Sequence, residues 1–460
     1  MKSLELQPTY EILFETFIDD TIGRSKDVVS FADILNSIDD SCSIALDARW
    51  GAGKTFFIKQ TKMALDAFNE FIPSHDEDDN GLIRNYCDRI HRQNPMEYIP
   101  QVAVYYDAWA NDNDEDPILS LVLSVLENIN SYFSFNQGTD VFTKAAAVLE
   151  FFTGKSFIDL VEGFKSNNPL DEIQKSKGIE ELVKEFLDSL LEERGDRLVI
   201  FIDELDRCKP DYAVRLLERI KHYFSNDRIT FVFAINSLEL QHTIKKYYGE
   251  NFDASRYLDR FFDLRMSLPA ADITKFYNTI DFHESRYFYD IVCNAVMNNY
   301  NFTLREIAKY IRLTKTAAYK PTHGNEYEFS FPEGKGLEFC LFFIVPVIIG
   351  LNIQDVSRYN NFILGKDFSP LVDIIVGFNP QWFIKLLSSN ETFDSNESDK
   401  TLVTVEEKFK QVYEAVFITK YDSVNYQTTI GEYSFQKGLK EQLINISGLM
   451  SEFADVGNES

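Results

Sequence analysis

The chain has 460 residues, enough for two or three domains with large cores, and 45% of them are hydrophobic, as is ordinary for a globular protein. Its formal net charge of −27 repels phosphate backbones and anionic lipid, which argues against general electrostatic binding of nucleic acid. Five scattered cysteines without CxxC spacing indicate a reducing compartment, and the N-terminus lacks an export signal, so we expect a cytoplasmic protein.

Residues 1 to about 40 are predicted to form a helical lead-in to the first strand. Apolar residues recur there at helical spacing, namely Val28, Phe31, Ile34, Leu35 and Ile38. The next apolar run, residues 43–47, is short and is soon followed by glycines, so we predict a strand. The glycines therefore lie just after the end of a strand.

The segment after this strand has the pattern of a phosphate-binding loop, because a glycine-rich turn leads directly into a helix-like run. Such a turn directs backbone N–H groups and the helix N-terminus at one point, where a phosphate chain can sit. We predict that Lys54 reaches the β- and γ-phosphates and that the Thr55 hydroxyl binds Mg²⁺. The residues predicted to hold the nucleotide are Trp50, Gly51, Ala52, Gly53, Lys54, Thr55 and Phe56.

One position of the loop departs from the full pattern, which has glycine where this chain has Ala48. If that position requires a positive φ, the Cβ costs about 1 kcal/mol, whereas alanine suffices if the position requires only a small residue. The loop by itself leaves open a glycine-rich turn that binds nothing. A second motif argues against that alternative.

This second motif is an apolar run, residues 198–202, that ends in Asp203 and Glu204. An uninterrupted run of this kind is typical of a parallel strand buried on both faces, and open α/β sheets bind ligands at the carboxyl ends of their strands. We predict that Asp203 holds the Mg²⁺ shell, directly or through water. Glu204 is predicted to polarise the water that attacks the γ-phosphate. The alternative is an acidic helix cap.

With these motifs, several further stretches resemble the KAP family of P-loop NTPases. They are residues 106–109, 203–210, 216–221, 231–236 and 257–264. The resemblance covers about residues 20 to 270. It implies an ATP-binding, Mg²⁺-dependent ATPase whose helix-flanked parallel sheet is of the additional-strand class, with one strand inserted between the loop strand and the acid strand. We assign Gln101–Asp107 to the inserted position and Ile229–Ile235 to the next strand.

The resemblance also suggests roles for polar residues near the ends of strands. Asn236, at the end of its strand, is predicted to sense the γ-phosphate, and capping of the next helix is the open alternative. Asp206 and Arg207 are expected to orient the acid motif rather than perform chemistry. Arg256 and Arg260 are the candidates for an arginine finger, from the same chain or from a neighbour. A surface ion pair with Asp259 or Asp263 is the alternative for both.

The chain is predicted to divide into three parts. After the lead-in, residues 41–270 form the P-loop NTPase core with a helical insertion at about 118–192, and residues 271–460 form a mainly helical lid or partner-binding region. Loops are expected at 322–325 and 388–391, with a frayed tail at 455–460. The apolar run 339–351 is shorter than the ~20 residues that cross a bilayer, so a core helix or buried hairpin is expected there, not a membrane span.

We expect an ATPase in which hydrolysis switches the C-terminal region and so regulates a partner effector protein. The alternatives are a P-loop kinase that transfers phosphate to a bound acceptor and a nucleotide-dependent scaffold with negligible turnover. The resemblance suggests a place in phage defence, and a homo-oligomer is compatible with it. The expected cofactors are ATP and Mg²⁺.

Overall fold

In the part of the chain that the structure describes, five parallel strands form the sheet that positions the predicted site. In chain order they are β1 (Cys42–Asp47), β2 (Gln101–Asp107), β3 (Arg197–Asp203), β4 (Ile229–Ile235) and β5 (Leu264–Ser267). Their order across the sheet is β2-β3-β4-β1-β5, and each neighbouring pair is parallel. Because parallel strands end at the same edge, the segments that follow β1, β3 and β4 meet there. The predicted parallel α/β sheet is confirmed.

The strand between the loop strand β1 and the acid strand β3 is β4, which pairs with both. The predicted additional strand therefore exists, but our assignment of it to Gln101–Asp107 is wrong, since that strand, β2, lies at the edge beside β3. A central position suits β4, whose seven residues are all buried, better than β2, in which Tyr105 and Asp107 are partly exposed. Chain order does not give the order in space.

The computed structural model describes residues 7–72, 78–91, 97–132, 141, 144–145, 147–148, 176–223, 226–280, 282, 288–319, 336–375, 398–422, 424–431 and 433–448. The chain divides into two compact units between Lys275 and Phe276. The described helices before that division are α1 (Tyr10–Ile18), α2 (Ser25–Asn36), α3 (Lys54–Phe68), α4 (Asp79–Ile90), α5 (Pro117–Tyr132), α6 (Ser176–Arg194), α7 (Pro210–Tyr223), α8 (Ser237–Tyr248) and α9 (Ala254–Leu258).

Each face of the sheet has its own hydrophobic core. All seven residues of β3 are buried, and successive side chains of a strand point to opposite faces. Ile200 accordingly belongs to the core shared with helices α5 to α9, and Phe201 to the core shared with α1 to α4. The uninterrupted apolar run of β3 thus follows from burial on both sides. The predicted helical lead-in corresponds to α1 and α2.

The second unit is mainly helical, as predicted. Helix α10 (Ile273–Thr279) crosses the division between the units. The described helices after it are α11 (Phe288–Asn299), α12 (Leu304–Thr314), α13 (Gly336–Gln354), α14 (Val356–Ile363), α15 (Ser369–Ile375), α16 (Ser398–Tyr413) and α17 (Leu439–Gly448). An antiparallel hairpin of β6 (Gln427–Ile430) and β7 (Tyr433–Gln436) is the exception to the helical prediction.

The apolar run 339–351 lies within α13 and is a core helix, one of the two structures expected for it. Phe339, Ile344 and Val347 are fully buried. Pro346 lies inside this helix, and its carbonyl accepts a hydrogen bond from the hydroxyl of Tyr310 at 3.1 Å. Among the described helices, none has both the length and the hydropathy that crossing a bilayer requires.

Some predictions fall outside the described residues. They concern the loops at 322–325 and 388–391, the tail at 455–460 and, within the predicted insertion, residues 149–175.

Candidate nucleotide-binding site

The phosphate loop occupies residues 48–53, between β1 and α3. Gly51 and Gly53 have φ angles of 78° and 93°, in the left-handed region that favours glycine. Gly53 is also the N-cap of α3, and the first N–H groups of a helix have no partners within it. The loop therefore directs N–H groups and the positive end of the helix dipole toward one point, which suits an anion.

Ala48 carries no backbone strain. Within the described part of the chain, the non-glycine residues with positive φ are Asp20, Glu204 and Asn301. The N–H of Ala48 donates to the carbonyl of Ile235 at 3.1 Å and so continues the pairing of β1 with β4. The departure from glycine at this position is therefore tolerated by the backbone.

Lys54 is held against the loop. Its side chain is buried, and Nζ donates to the carbonyl oxygens of Ala48 at 2.7 Å and Arg49 at 3.4 Å. An ammonium has three donors, so, as far as the described residues go, one remains for an anion. Burial lowers the pKa of Lys54, and four nearby carboxylates oppose that shift. These carboxylates belong to Asp206, Asp203, Glu204 and Asp47.

Thr55 and Asp203 meet at the centre of the site. The Thr55 hydroxyl donates to Asp203 Oδ2 at 2.6 Å, and the Tyr105 hydroxyl donates to the same oxygen at 3.1 Å. Asp203 is 1% exposed. Burial raises its pKa, although the hydrogen bonds from Thr55, Tyr105 and the N–H of Glu204 act in the opposite direction. A hydroxyl oxygen beside a carboxylate oxygen is a donor set that fits Mg²⁺, a hard cation that prefers oxygen ligands.

Glu204 follows Asp203 in a left-handed backbone conformation, with φ 59° and ψ 21°. Its carboxylate forms an ion pair with Arg207, whose Nε lies 2.6 Å from Oε2. Burial and then the charge of Asp203 raise the pKa of Glu204 to about 7, against the opposing charge of Arg207. A carboxyl group whose pKa lies near neutrality suits general base catalysis.

Two tryptophans surround Arg207. Its guanidinium carbon lies 5.5 Å from the ring centroid of Trp50 and 5.6 Å from that of Trp109. The indole N–H of Trp50 also donates to the carboxylate of Asp206. These contacts connect the acid motif to the phosphate loop, and the orienting role of Asp206 and Arg207 remains a prediction.

Arg24, which the sequence analysis did not single out, supports the loop from the position just before α2. Its Nη1 donates to the carbonyl of Ala52 at 2.7 Å, and the residue is 8% exposed. Burial lowers its pKa to about 10, against the charge of Asp27. Tyr105 was not predicted either, because a tyrosine near the end of a strand such as β2 is common and carries no sign of a role in a site. No local pattern marks either residue as part of the site.

Asn236 and Phe56 lie close to the loop in the chain. Asn236 is the N-cap of α8, and its side chain accepts from the N–H of Glu239 at 3.5 Å. Capping, the alternative to sensing, is thus observed, and the sensor role remains a prediction. Phe56 lies in the first turn of α3 and packs, partly buried, against the core shared with α1 to α4. Its contact with nucleotide also remains a prediction.

Of the two candidate arginine fingers, Arg260 is not brought to the phosphate loop, and the finger role of Arg256 remains a prediction. Arg260 lines a cavity with Ser43 and Ile229, at the amino ends of β1 and β4, whereas the loop follows the carboxyl end of β1. A strand of six residues separates these edges by roughly 17 Å. Arg256 lies exposed in α9. A finger role for Arg260 therefore requires a neighbouring chain.

The aspartates proposed as ion-pair partners of these arginines have other contacts. Asp259 pairs with Arg265 at 2.6 Å, and Asp263 accepts from the N–H of Ser43 at 2.8 Å. Within the described residues, neither Arg256 nor Arg260 forms an ion pair through its side chain.

Comparisons with known proteins were made at the level of sequence and of structure. A family profile described as the KAP family P-loop domain matches residues 24–286. An uncharacterised protein of Methanocaldococcus jannaschii is 37% identical over 76 residues, which are 16% of this chain and 39% of that protein. The chain thus spans well under half the length of this curated relative.

A structure of the Drosophila ORC bound to GC-rich DNA and Cdc6 gives a TM-score of 0.30 at 12% identity, over 91% of this chain and 54% of the matched chain. A TM-score this low carries no argument about function. The family profile, in contrast, covers more than half of the chain, including the phosphate loop and the acid motif. The chain therefore belongs to the KAP family of P-loop NTPases.

Proposed function

We propose that this chain binds ATP with Mg²⁺ and hydrolyses it in the cytoplasm, and that hydrolysis acts as a regulatory switch or motor for a partner effector protein. The observation that carries the proposal is the 2.6 Å contact between Thr55 Oγ1 and Asp203 Oδ2. It joins the phosphate loop to the acid strand at one point, as a single metal-bound triphosphate requires.

The loop supplies the binding part of this proposal. The N–H groups at the start of α3 and the remaining Lys54 donor would receive the phosphate oxygens. Thr55 and Asp203 would hold Mg²⁺, which neutralises charge on the phosphates when bound. The carboxylates of Asp203, Glu204 and Asp206 all lie near Lys54, so a divalent cation would also relieve their repulsion of the nucleotide.

Glu204 supplies the hydrolytic part. As a base it would take a proton from the attacking water while the oxygen forms its bond to the γ-phosphorus and the bond to the β-phosphate oxygen breaks. Its pKa of about 7 means that a large share of the group is ionised near neutrality. Glu204 precedes the short helix Leu205–Arg207, but its side chain makes no capping hydrogen bond there, and this supports water activation over a structural cap.

The test is steady-state turnover of Mg²⁺-ATP by the full chain. We expect Lys54→Ala to lose nucleotide binding, and Glu204→Gln to bind as tightly as the wild type while losing most turnover. Lys246→Ala and Glu185→Gln are matched controls, because both residues are exposed and lie outside the site. Equal turnover by the wild type and Glu204→Gln would refute the hydrolase and leave the scaffold alternative.

The regulatory part needs a separate measurement. Nucleotide-dependent protection of backbone amides from hydrogen exchange, compared for Glu204→Gln with ATP and wild type with ADP, should change in the unit that begins at Phe276. Capture from native cells should yield a stoichiometric protein partner, and its absence would count against the switch. For phage defence, which the family resemblance suggests, the wild type should restrict phage plating and Lys54→Ala should not.

A further inference from the structure

Three strands send one residue each to a single cluster beside Glu204. Trp50 follows β1, Trp109 follows β2 and Arg207 follows β3. The guanidinium of Arg207 lies within 5.6 Å of both indole centroids, inside the range of cation–π attraction. We call this group the Arg207 cluster. Nothing in the proposed chemistry requires two tryptophans here, since neither carries a group that activates water.

The Arg207 cluster contacts the predicted catalytic base through the Glu204 carboxylate. Arg207 Nε forms an ion pair with Glu204 Oε2 at 2.6 Å, and the backbone N–H of Arg207 donates to the Glu204 carbonyl at 3.0 Å. The left-handed backbone of Glu204 is a conformation that non-glycine residues adopt rarely and that surrounding contacts must maintain. Arg207 therefore contacts Glu204 through both its backbone and its side chain.

Trp50 connects the cluster to the phosphate loop. Trp50 belongs to that loop, and it contacts the acid segment twice, by its indole N–H to Asp206 and by its ring to Arg207. A shift of the loop around a bound nucleotide would therefore move the ring that holds the guanidinium. Trp50 and Trp109 are 42% and 52% exposed, so the cluster lies at the mouth of the site and not in the core.

We propose that Arg207 is a positioning residue: held by the indoles of Trp50 and Trp109, it fixes the carboxylate of Glu204 and couples that acid to the phosphate loop. This inference rests on the proposed hydrolysis. It assigns a function to the two exposed tryptophans, and it makes the shape of the guanidinium essential, because a planar cation can lie against indole rings and still pair with a carboxylate at its edge.

The first test separates turnover from binding in the full chain. Arg207→Gln should lower kcat about 10- to 100-fold, as expected for a misplaced catalytic group, and change the Kd for Mg²⁺-ATP by no more than about twofold. Arg207→Lys should fall nearly as far, because lysine keeps the charge but not the planar fork. Trp109→Ala should lower kcat and Trp109→Phe should restore most of it.

The matched control is Arg228→Gln. Arg228 forms an arginine–aspartate pair with Asp188 at 3.0 Å, at the amino end of β3, and its loss should leave kcat unchanged. In a Glu204→Gln background, Arg207→Gln should produce no further loss, since it acts through Glu204. Wild-type turnover by Arg207→Lys would overturn the proposal, as would additive losses or a loss of ATP binding equal to that of Lys54→Ala.

A second measurement does not depend on turnover. In protein carrying Trp382→Phe, the remaining tryptophans are Trp50 and Trp109. Arg207→Gln should increase quenching of their fluorescence by acrylamide, and Arg228→Gln should not. If the wild type binds Mg²⁺-ATP without turnover, the proposed function fails while this measurement still judges the cluster. Unchanged quenching in Arg207→Gln would overturn the cluster itself.

Discussion

The hydroxyl of Thr55 donates to a carboxylate oxygen of Asp203 at 2.6 Å, although 148 positions separate the two residues in the chain. Thr55 lies in the first turn of α3, which follows β1, whereas Asp203 is the last residue of β3, and β4 lies between β1 and β3 in the sheet. The contact therefore joins segments that follow two non-adjacent strands. It makes one oxygen pair from two motifs that are far apart in sequence. The following prediction tests whether that pair binds the metal.

Removal of either oxygen should weaken the Mg²⁺-dependent part of ATP binding. For Thr55→Ala and Asp203→Asn we expect the gain in ATP affinity that Mg²⁺ provides to fall by about tenfold or more, or about 1.4 kcal/mol. Thr55→Ser keeps a hydroxyl and should retain most of that gain. Titration calorimetry with and without Mg²⁺ measures it. The same Mg²⁺ dependence in Thr55→Ala and wild type would show that Thr55 is not a ligand.

Loss of Arg24 should loosen the phosphate loop. Arg24→Ala leaves the partly buried Ala52 carbonyl without its 2.7 Å donor, and the loss of a hydrogen bond to a charged group costs about 1.5–3 kcal/mol. We expect a lower melting temperature and an ATP affinity about tenfold weaker, because the loop N–H groups are no longer held in place. Arg84→Ala is the control, since Arg84 donates to the Ala67 carbonyl at 2.6 Å near the other end of α3. If both variants bind ATP equally well, Arg24 has no role in the site.

Asp20 provides a prediction about pH. Burial raises its pKa, but hydrogen bonds from Lys275 and Ser25 outweigh burial and leave the pKa below the usual 3.8. An acid with a lowered folded-state pKa stabilises the protein above its unfolded-state pKa, and this contribution disappears as pH falls through the folded-state value.

Asp20→Asn should therefore destabilise the protein by about 1 kcal/mol at pH 7, and the difference from wild type should shrink below about pH 4. Asparagine also tolerates the left-handed backbone of this position, where φ is 50°, so the comparison isolates the charge. Thermal unfolding at pH 7, 5 and 3.5 measures it. A difference that stays constant with pH would exclude the carboxylate charge as its source.

The elements of the site were predictable where local pattern and tertiary position agree. The run at 198–202 indicates a buried parallel strand because both of its faces lie in cores, and the glycines of the loop occupy the positions where φ is positive. The position of β4 between β1 and β3 depends on how the connections cross the sheet. The pattern of β2 is equally compatible with a central strand.

The supporting contacts were not predictable for a different reason. Arg24 reaches Ala52 across 28 positions, and Tyr105 reaches Asp203 across 98. An arginine before a helix and a tyrosine in a strand are common, and their partners are known only once the sheet order is known. Arg260 shows the opposite case. It lies within a family motif in the chain, yet in the fold it lies at the edge of the sheet opposite to the phosphate loop.

Gly350 offers a test of packing in the second unit. It lies in α13, where alanine is favoured over glycine by about 1 kcal/mol in an open helix. A Cβ at Gly350, however, would lie 2.5 Å from Val296 Cγ1 and 3.2 Å from the Tyr300 ring. Overpacking of this kind costs about 1–3 kcal/mol, so we expect Gly350→Ala to destabilise the protein by about 1 kcal/mol.

Gly81→Ala is the matched control for that substitution. Gly81 lies in α4 and its φ is not positive, and among the described residues outside its own helix turn and chain neighbours, no atom lies within 4 Å of where its Cβ would be. Here the helix propensity acts alone, so alanine should stabilise by about 0.5–1 kcal/mol. Chemical denaturation with a probe for each unit measures both variants. If Gly350→Ala stabilised its unit as Gly81→Ala does, α13 could not pack as closely on Val296 as the structure shows, because a Cβ would then fit between them without displacing either.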